Sequence, residues 1–206
     1  MANVPNTAQM SFDFGERLAA SLPTSTIGRH DLFFALVPDG ETAERAFRLA
    51  CDLHREHGLA AKPRPLPLLH MTLCGIGEIA KLPDTVVDRA RRAAEGVGAA
   101  AFAMNLDQVF TFRQRQHPLV LCGEDGSDSF RMLHIRLGLA LRNSGLRVRI
   151  QRGMQPHMTL VYGRTPVTKV KLSRPIALRA TEFALIRSHH GEGRHEHLGR
   201  WPLRQN

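Results

Sequence analysis

The chain is short of cysteine, of long apolar runs, of nucleotide-phosphate loops and of acidic side chains, and each shortage narrows what it can do. Three cysteines, Cys51, Cys74 and Cys122, form no CxxC pair and leave an odd count. They argue against a disulfide framework and for a reducing, cytoplasmic setting, with the thiols serving as small buried hydrophobes. No stretch reaches the roughly 18 consecutive apolar residues that span a bilayer, so no membrane association is expected. Neither GxxxxGK[ST] nor GxGxxG occurs, which removes support for nucleoside-triphosphate and dinucleotide folds. The opening MANVPNTAQMSFDFGERLAASLP has no basic leader and no apolar core, and so does not read as a secretory signal. Residues 1–28 are expected to form a loosely ordered tail with a short helix around 14–21, leaving 29–206 as one domain.

What the chain does have is positive charge. Lys and Arg number 28 against 19 acidic residues, a formal +9 over 206 residues. Such a balance attracts polyanions and favours RNA, DNA or phosphorylated substrates.

Periodicity supplies the elements. An apolar run at 32–37 predicts a strand, and Ala43, Ala46, Phe47, Ala50 and Leu53 predict a helix over 41–56 that Gly58 stops. The proline-rich AKPRPLPLLH reads as an extended approach to a strand carrying HMTLCGIG. A second helix is expected over 84–97 with Asp84 as its N-cap. Strands are expected from 102 and at PLVLCG, and a third helix over 127–143, with Phe130, Leu133, Leu137 and Leu141 on one face and Gly145 as its cap. Then come the strand PHMTLVYG and strands at 176–179, 182–187 and 197–203. Helices and strands mix without strict alternation, which predicts an α+β fold.

One repeat stands out. His-Met-Thr-Leu occurs at 70–73 and again at 157–160, 87 residues apart and each time on a predicted strand. A strand alternates its faces with period two. His70 and Thr72 therefore share one face and Met71 and Leu73 the other, with the same split for His157 and Thr159 against Met158 and Leu160. Met and Leu suit a core. An imidazole exchanges a proton near neutral pH, and the hydroxyl two residues on can bond a phosphate oxygen. If the two strands face each other across a duplicated fold, one histidine can take a proton from the attacking group while the other gives one to the leaving oxygen. That chemistry needs no metal.

Two H-x-[ST]-hydrophobic motifs in a duplicated α+β chain resemble the 2H phosphoesterase superfamily, and more closely its bacterial branch of RNA 2′,3′-cyclic phosphodiesterases, historically called 2′-5′ RNA ligases. The likeness runs over 30–203 through LFFALVPD, the helix before the first motif, PLVLCG, the helix after it, PHMTL and RWPL. It implies a bilobal duplicated fold, two mainly antiparallel sheets with outer helices around a central cleft. The reaction implied is opening of 2′,3′-cyclic phosphate ends, on RNA or small cyclic nucleotides, to 2′-phosphomonoesters, with relatives also joining or splitting 2′-5′ linkages. His70 would protonate the leaving 3′ oxygen and His157 would activate water, with no cofactor and no metal. Thr72 and Thr159 would hold phosphate oxygens. A self-contained cleft makes a monomer the expectation.

The chain departs from the pattern where close relatives carry Arg three residues after the second threonine. It has Tyr162 there and Arg164 two further on; both are candidate substrate contacts. CGIGE also replaces the usual aromatic-containing run after the first motif. These departures leave open an RNA-binding module with little catalysis, or an enzyme acting on a non-RNA cyclic phosphodiester. Outside the motifs, His189, His190, His195 and His197 with Glu192 and Glu196 read as a polar hairpin tip, solvated or facing RNA, in preference to a zinc site. The basic loops with Lys62 and Arg64 and with Arg113, Arg115 and His117 read as solvated surface. Phe110, Phe112 and Tyr162 are candidates to stack a base.

Overall fold

A computed structural model of the chain describes residues 30–79, 83–113, 117–163 and 165–205. The expected 1–28 tail and Arg164 lie outside them. The elements run β1 (His30–Leu36), α1 (Gly40–Glu56), β2 (Met71–Ile79), α2 (Asp84–Glu95), β3 (Phe102–Thr111), β4 (Pro118–Cys122), α3 (Ser127–Asn143), β5 (His157–Tyr162), β6 (Val170–Ala180), β7 (Glu182–His189) and β8 (Arg194–Pro202). One 3-10 turn, Leu66–Leu68, precedes β2.

Local chemistry sets the boundaries. Asp39 caps α1, its Oδ1 accepting the Thr42 N–H at 2.7 Å. The helix closes at His57, and Gly58 follows with φ +56°. The sequence reading of Asp84 as a cap is corrected: Pro83 is the flanking residue, without a side-chain cap bond, and Asp84 is the first helical residue, where its charge suits the dipole. At the start of α3, Gly126 has φ +78°, and a Cβ there would collide with the Ala103 carbonyl, so only glycine fits.

The strands form two four-stranded sheets, ordered β2-β1-β7-β8 and β5-β4-β3-β6, with every pairing antiparallel. The first two positions correspond, β2 and β1 in one sheet with β5 and β4 in the other. Each motif strand lies at a sheet edge beside the strand that precedes its own helix, as duplication of one lobe requires.

The lobes exchange their helices. α1, which joins β1 to β2, packs on β5 and β6 of the other sheet, while α3, which joins β4 to β5, packs on β2 and α2. Thr42 Oγ1 donates to the Ala177 carbonyl at 3.0 Å and Arg45 to Pro175 at 2.9 Å, both on β6. One continuous core results, with Phe34, Leu36, Met71, Leu106, Phe130, Leu137, Met158 and Phe183 drawn from both halves. Burying each such side chain contributes about 1.5–3 kcal/mol. A shared core of this kind fixes the two motif strands relative to each other. No described helix is long and apolar enough to cross a membrane.

Candidate active site

His70 immediately precedes β2 and His157 opens β5, and these two edge strands touch. The period-two sorting is visible in burial. Met71, Leu73, Met158 and Leu160 are all at most 2% exposed, whereas His70, Thr72, His157 and Thr159 are half-buried on the opposite faces. Neither threonine side chain has a hydrogen-bond partner among the described residues, so both hydroxyls can turn to a ligand.

The two imidazoles are held alike. His70 Nδ1 lies 2.8 Å from the Leu68 carbonyl, and His157 Nδ1 lies 2.9 Å from that of Gln155. A carbonyl only accepts, so each Nδ1 carries the hydrogen and each neutral ring keeps its lone pair on Nε2. In both cases the carbonyl belongs to the residue two positions back, a local device that comes with the repeated segment.

Their surroundings differ. Phe33 from β1 stacks on His70 at 4.8 Å, and His195 meets the same ring edge-on at 5.1 Å. His157 instead meets the edge of Phe112 at 4.8 Å, with Phe110 behind it. Burial, then the Arg64 guanidinium, then His195 and His157 push the His70 pKa down to about 3, against the favourable bond to Leu68. Burial also lowers His157, opposed by its bond to Gln155. His195 falls to about 4 through burial, Arg64 and His197. Without a bound anion, the imidazoles of this cleft are neutral at pH 7.

Arg64 reaches the site by backbone pairing. Pro63 bridges Val161 of β5, the Arg64 N–H donates to the Leu160 carbonyl at 2.8 Å, and the guanidinium lies 5.3 Å over the Tyr162 ring. The reading of Arg64 as solvated surface is therefore corrected: it is half-buried between the motif strands. Tyr162, at the end of β5, is 42% exposed beneath it. Lys169 lies 5.9 Å over Phe110 on the far side. Arg113 is exposed, and Arg115 falls outside the described residues.

The histidine-rich segment is not a hairpin tip throughout. β8 begins at Arg194, so His195 lies on a strand and turns toward His70. His189 bonds Glu196 at 3.0 Å and His190 bonds Asp31 at 2.8 Å. Among the described residues, no group of three or more His, Cys, Asp or Glu is arranged to hold a metal ion.

A buried histidine ties the two motifs together. His134 on α3 donates from Nδ1 to the Leu73 carbonyl at 2.6 Å and accepts the Gln151 N–H on Nε2 at 2.9 Å. Leu73 ends the first motif, and Gln151 lies in the segment leading to the second. Phe33, Phe112, Arg64, His134 and His195 all lie outside the motifs they serve, and most of them far from those motifs in sequence. The one local hint is the period-two spacing of His195 and His197.

A model of the 2′-5′ RNA ligase superfamily matches residues 39–192. The crystal structure of E. coli LigT in apo form superposes with a TM-score of 0.71 at 23% identity, covering 85% of this chain and 98% of LigT. LigT complexed with 3′-AMP gives 0.70 at 24% over the same shares. A protein of Thermus thermophilus gives 0.67 at 19%, again covering 85% and 98%. At these identities the likeness establishes the duplicated fold. By sequence search, no curated protein matches the chain.

Proposed function

The chain belongs to the 2′-5′ RNA ligase superfamily, whose members are phosphoesterases, and on that premise we propose that it is a metal-independent RNA 2′,3′-cyclic phosphodiesterase. The observation that carries this reading is the matched pair of Nδ1-anchored histidines, His70 and His157, on facing edge strands.

Water attacks phosphorus and passes a proton to Nε2 of His157. The bond from phosphorus to O3′ breaks, O3′ takes the proton of His70 Nε2, and the phosphate stays on O2′. Thr72 and Thr159 hold non-bridging oxygens. Each proton transfer accounts for roughly 10²–10⁴-fold in rate. Burial and the Arg64 charge disfavour protonated His70 in the empty cleft, and an anionic phosphate offsets the charge part of that opposition when it binds. The assignment of acid to His70 and base to His157 follows family usage. That a LigT structure holds 3′-AMP supports a nucleotide-sized substrate here, and the +9 net charge supports RNA.

The test is product analysis on an oligonucleotide ending in a 2′,3′-cyclic phosphate, with EDTA present. The expected product is the 2′-phosphomonoester, at a rate EDTA leaves unchanged. Salt-dependent binding without turnover would instead identify an RNA-binding module. Turnover confined to non-RNA cyclic phosphates would move the substrate off RNA.

A further inference from the structure

We propose that Arg64 is the phosphate clamp of this cleft, its guanidinium gripping the non-bridging oxygens beside His70 while Tyr162 serves as the platform that orients it. The inference rests on the phosphodiesterase reading and adds to it a residue outside both motifs.

Three tethers fix where this cation sits. Its backbone N–H is bonded to Leu160 of the second motif. Its Nη2 donates at 3.3 Å to the Leu68 carbonyl, the same oxygen that takes the Nδ1 hydrogen of His70. Its plane is supported by the Tyr162 ring. One residue thus touches the backbone at both motifs, and the proline-rich approach delivers it there.

The missing partner is as informative. Among the described residues, no carboxylate lies within ion-pairing distance of Arg64. Two other half-buried arginines do have one, Arg131 with Glu124 and Asp128 and Arg187 with Glu196, while Arg45 has only the Pro175 carbonyl. A half-buried guanidinium without a counter-ion is costly to keep. Its fork has five N–H donors, and only Nη2 is engaged. The remaining donors match phosphate oxygens in bidentate geometry, which an ammonium group cannot reproduce. The ligand is the counter-ion the site lacks.

The experiment compares wild type with Arg64→Gln, Arg64→Lys, Tyr162→Phe and Tyr162→Ala on a mononucleoside 2′,3′-cyclic phosphate, with inorganic phosphate as competitive inhibitor. Arg64→Gln is expected to lose roughly 10²-fold in kcat/KM and to bind phosphate more weakly, and Arg64→Lys to recover part of both. Tyr162→Ala should move in the direction of Arg64→Gln, and Tyr162→Phe, which keeps the ring, should lose less than Tyr162→Ala. The acid limb of the kcat/KM profile should shift to higher pH in Arg64→Gln, because a cation opposing protonation of His70 is gone while His195 and His157 remain. A purely structural role would leave that limb in place. Unchanged phosphate affinity and an unchanged profile in a folded Arg64→Gln protein would overturn the proposal. If wild type turns over no cyclic phosphate, phosphate titration followed through the imidazole NMR signals still decides. Loss of the phosphate response in Arg64→Gln supports the clamp, and an equal response in both proteins removes it.

Discussion

The two lobes carry the same tetrapeptide with the same Nδ1 anchor, yet they set it in different electrostatic company. His70 stands among Arg64, His195 and Phe33, whereas His157 stands against Phe112. What repeats is what a strand encodes locally: the facing of the side chains and the carbonyl two residues back. What differs comes from other segments, β8 and the proline-rich approach on one side and the end of β3 on the other. Duplication therefore supplies two imidazoles with equivalent anchors, and long-range packing makes their surroundings unequal. On the proposed function, the Arg64 side would receive the phosphate and the His157 side the attacking water.

The largest effect is expected from removing either imidazole. His70→Ala and His157→Ala should each lose roughly 10²–10⁴-fold in kcat on a 2′,3′-cyclic phosphate, with circular dichroism unchanged. Turnover near wild type in either variant would break the equivalence of the lobes.

The next effect falls on the link between them. His134→Leu leaves the Leu73 carbonyl and the Gln151 N–H without their bonds. Each buried group left unsatisfied costs about 1–3 kcal/mol, so denaturant unfolding should register a loss of about 2–5 kcal/mol. Stability unchanged from wild type would mean that α3 does not couple the motifs.

The smallest effect is a shift with pH. Catalysis needs one imidazole protonated and one neutral, and kcat/KM reports the free enzyme. His70 and His157 are both lowered from 6.5, so their charged forms become populated only on the acid side of that value. The maximum of kcat/KM should therefore lie below pH 6.5. A maximum above about pH 7 would contradict the burial that lowers both groups. The same histidines, with His134 and His195, bind protons more readily in the unfolded chain. Their contribution to stability is present above pH 6.5 and is lost as pH falls toward the folded-state values.

Much of the fold was legible because its signals are local. The α1 stripe of Ala43, Ala46, Ala50 and Leu53 is buried as its spacing predicts, and Gly145 closes α3 with φ +79°. The alternation within HMTL sorts core from cleft without any knowledge of strand pairing. The α2 cap escapes a sequence reading because Asp is favoured both as a cap and in the first turn, and local sequence does not separate the two. β6 runs from Val170, well before the predicted start at 176, because its early residues Val170, Lys171, Ser173 and Arg174 are exposed and show no apolar pattern. Arg64 and His195 could not be assigned for a different reason. Nothing near Arg64 in sequence announces Tyr162 or Leu160, and His195 meets His70 only once β8 has joined the far edge of its sheet.

The central claim is that matched histidines from two lobes divide one proton transfer in and one out. The most direct measurement sets His70→Ala and His157→Ala on two phosphodiesters, one with an ordinary alkoxide leaving group and one with a nitrophenolate. A weakly basic leaving group needs no proton. His70→Ala should return to within about tenfold of wild type on the nitrophenolate ester, while His157→Ala stays depressed roughly 10²–10⁴-fold on both. Equal responses of the two variants to the leaving group would contradict the division of roles.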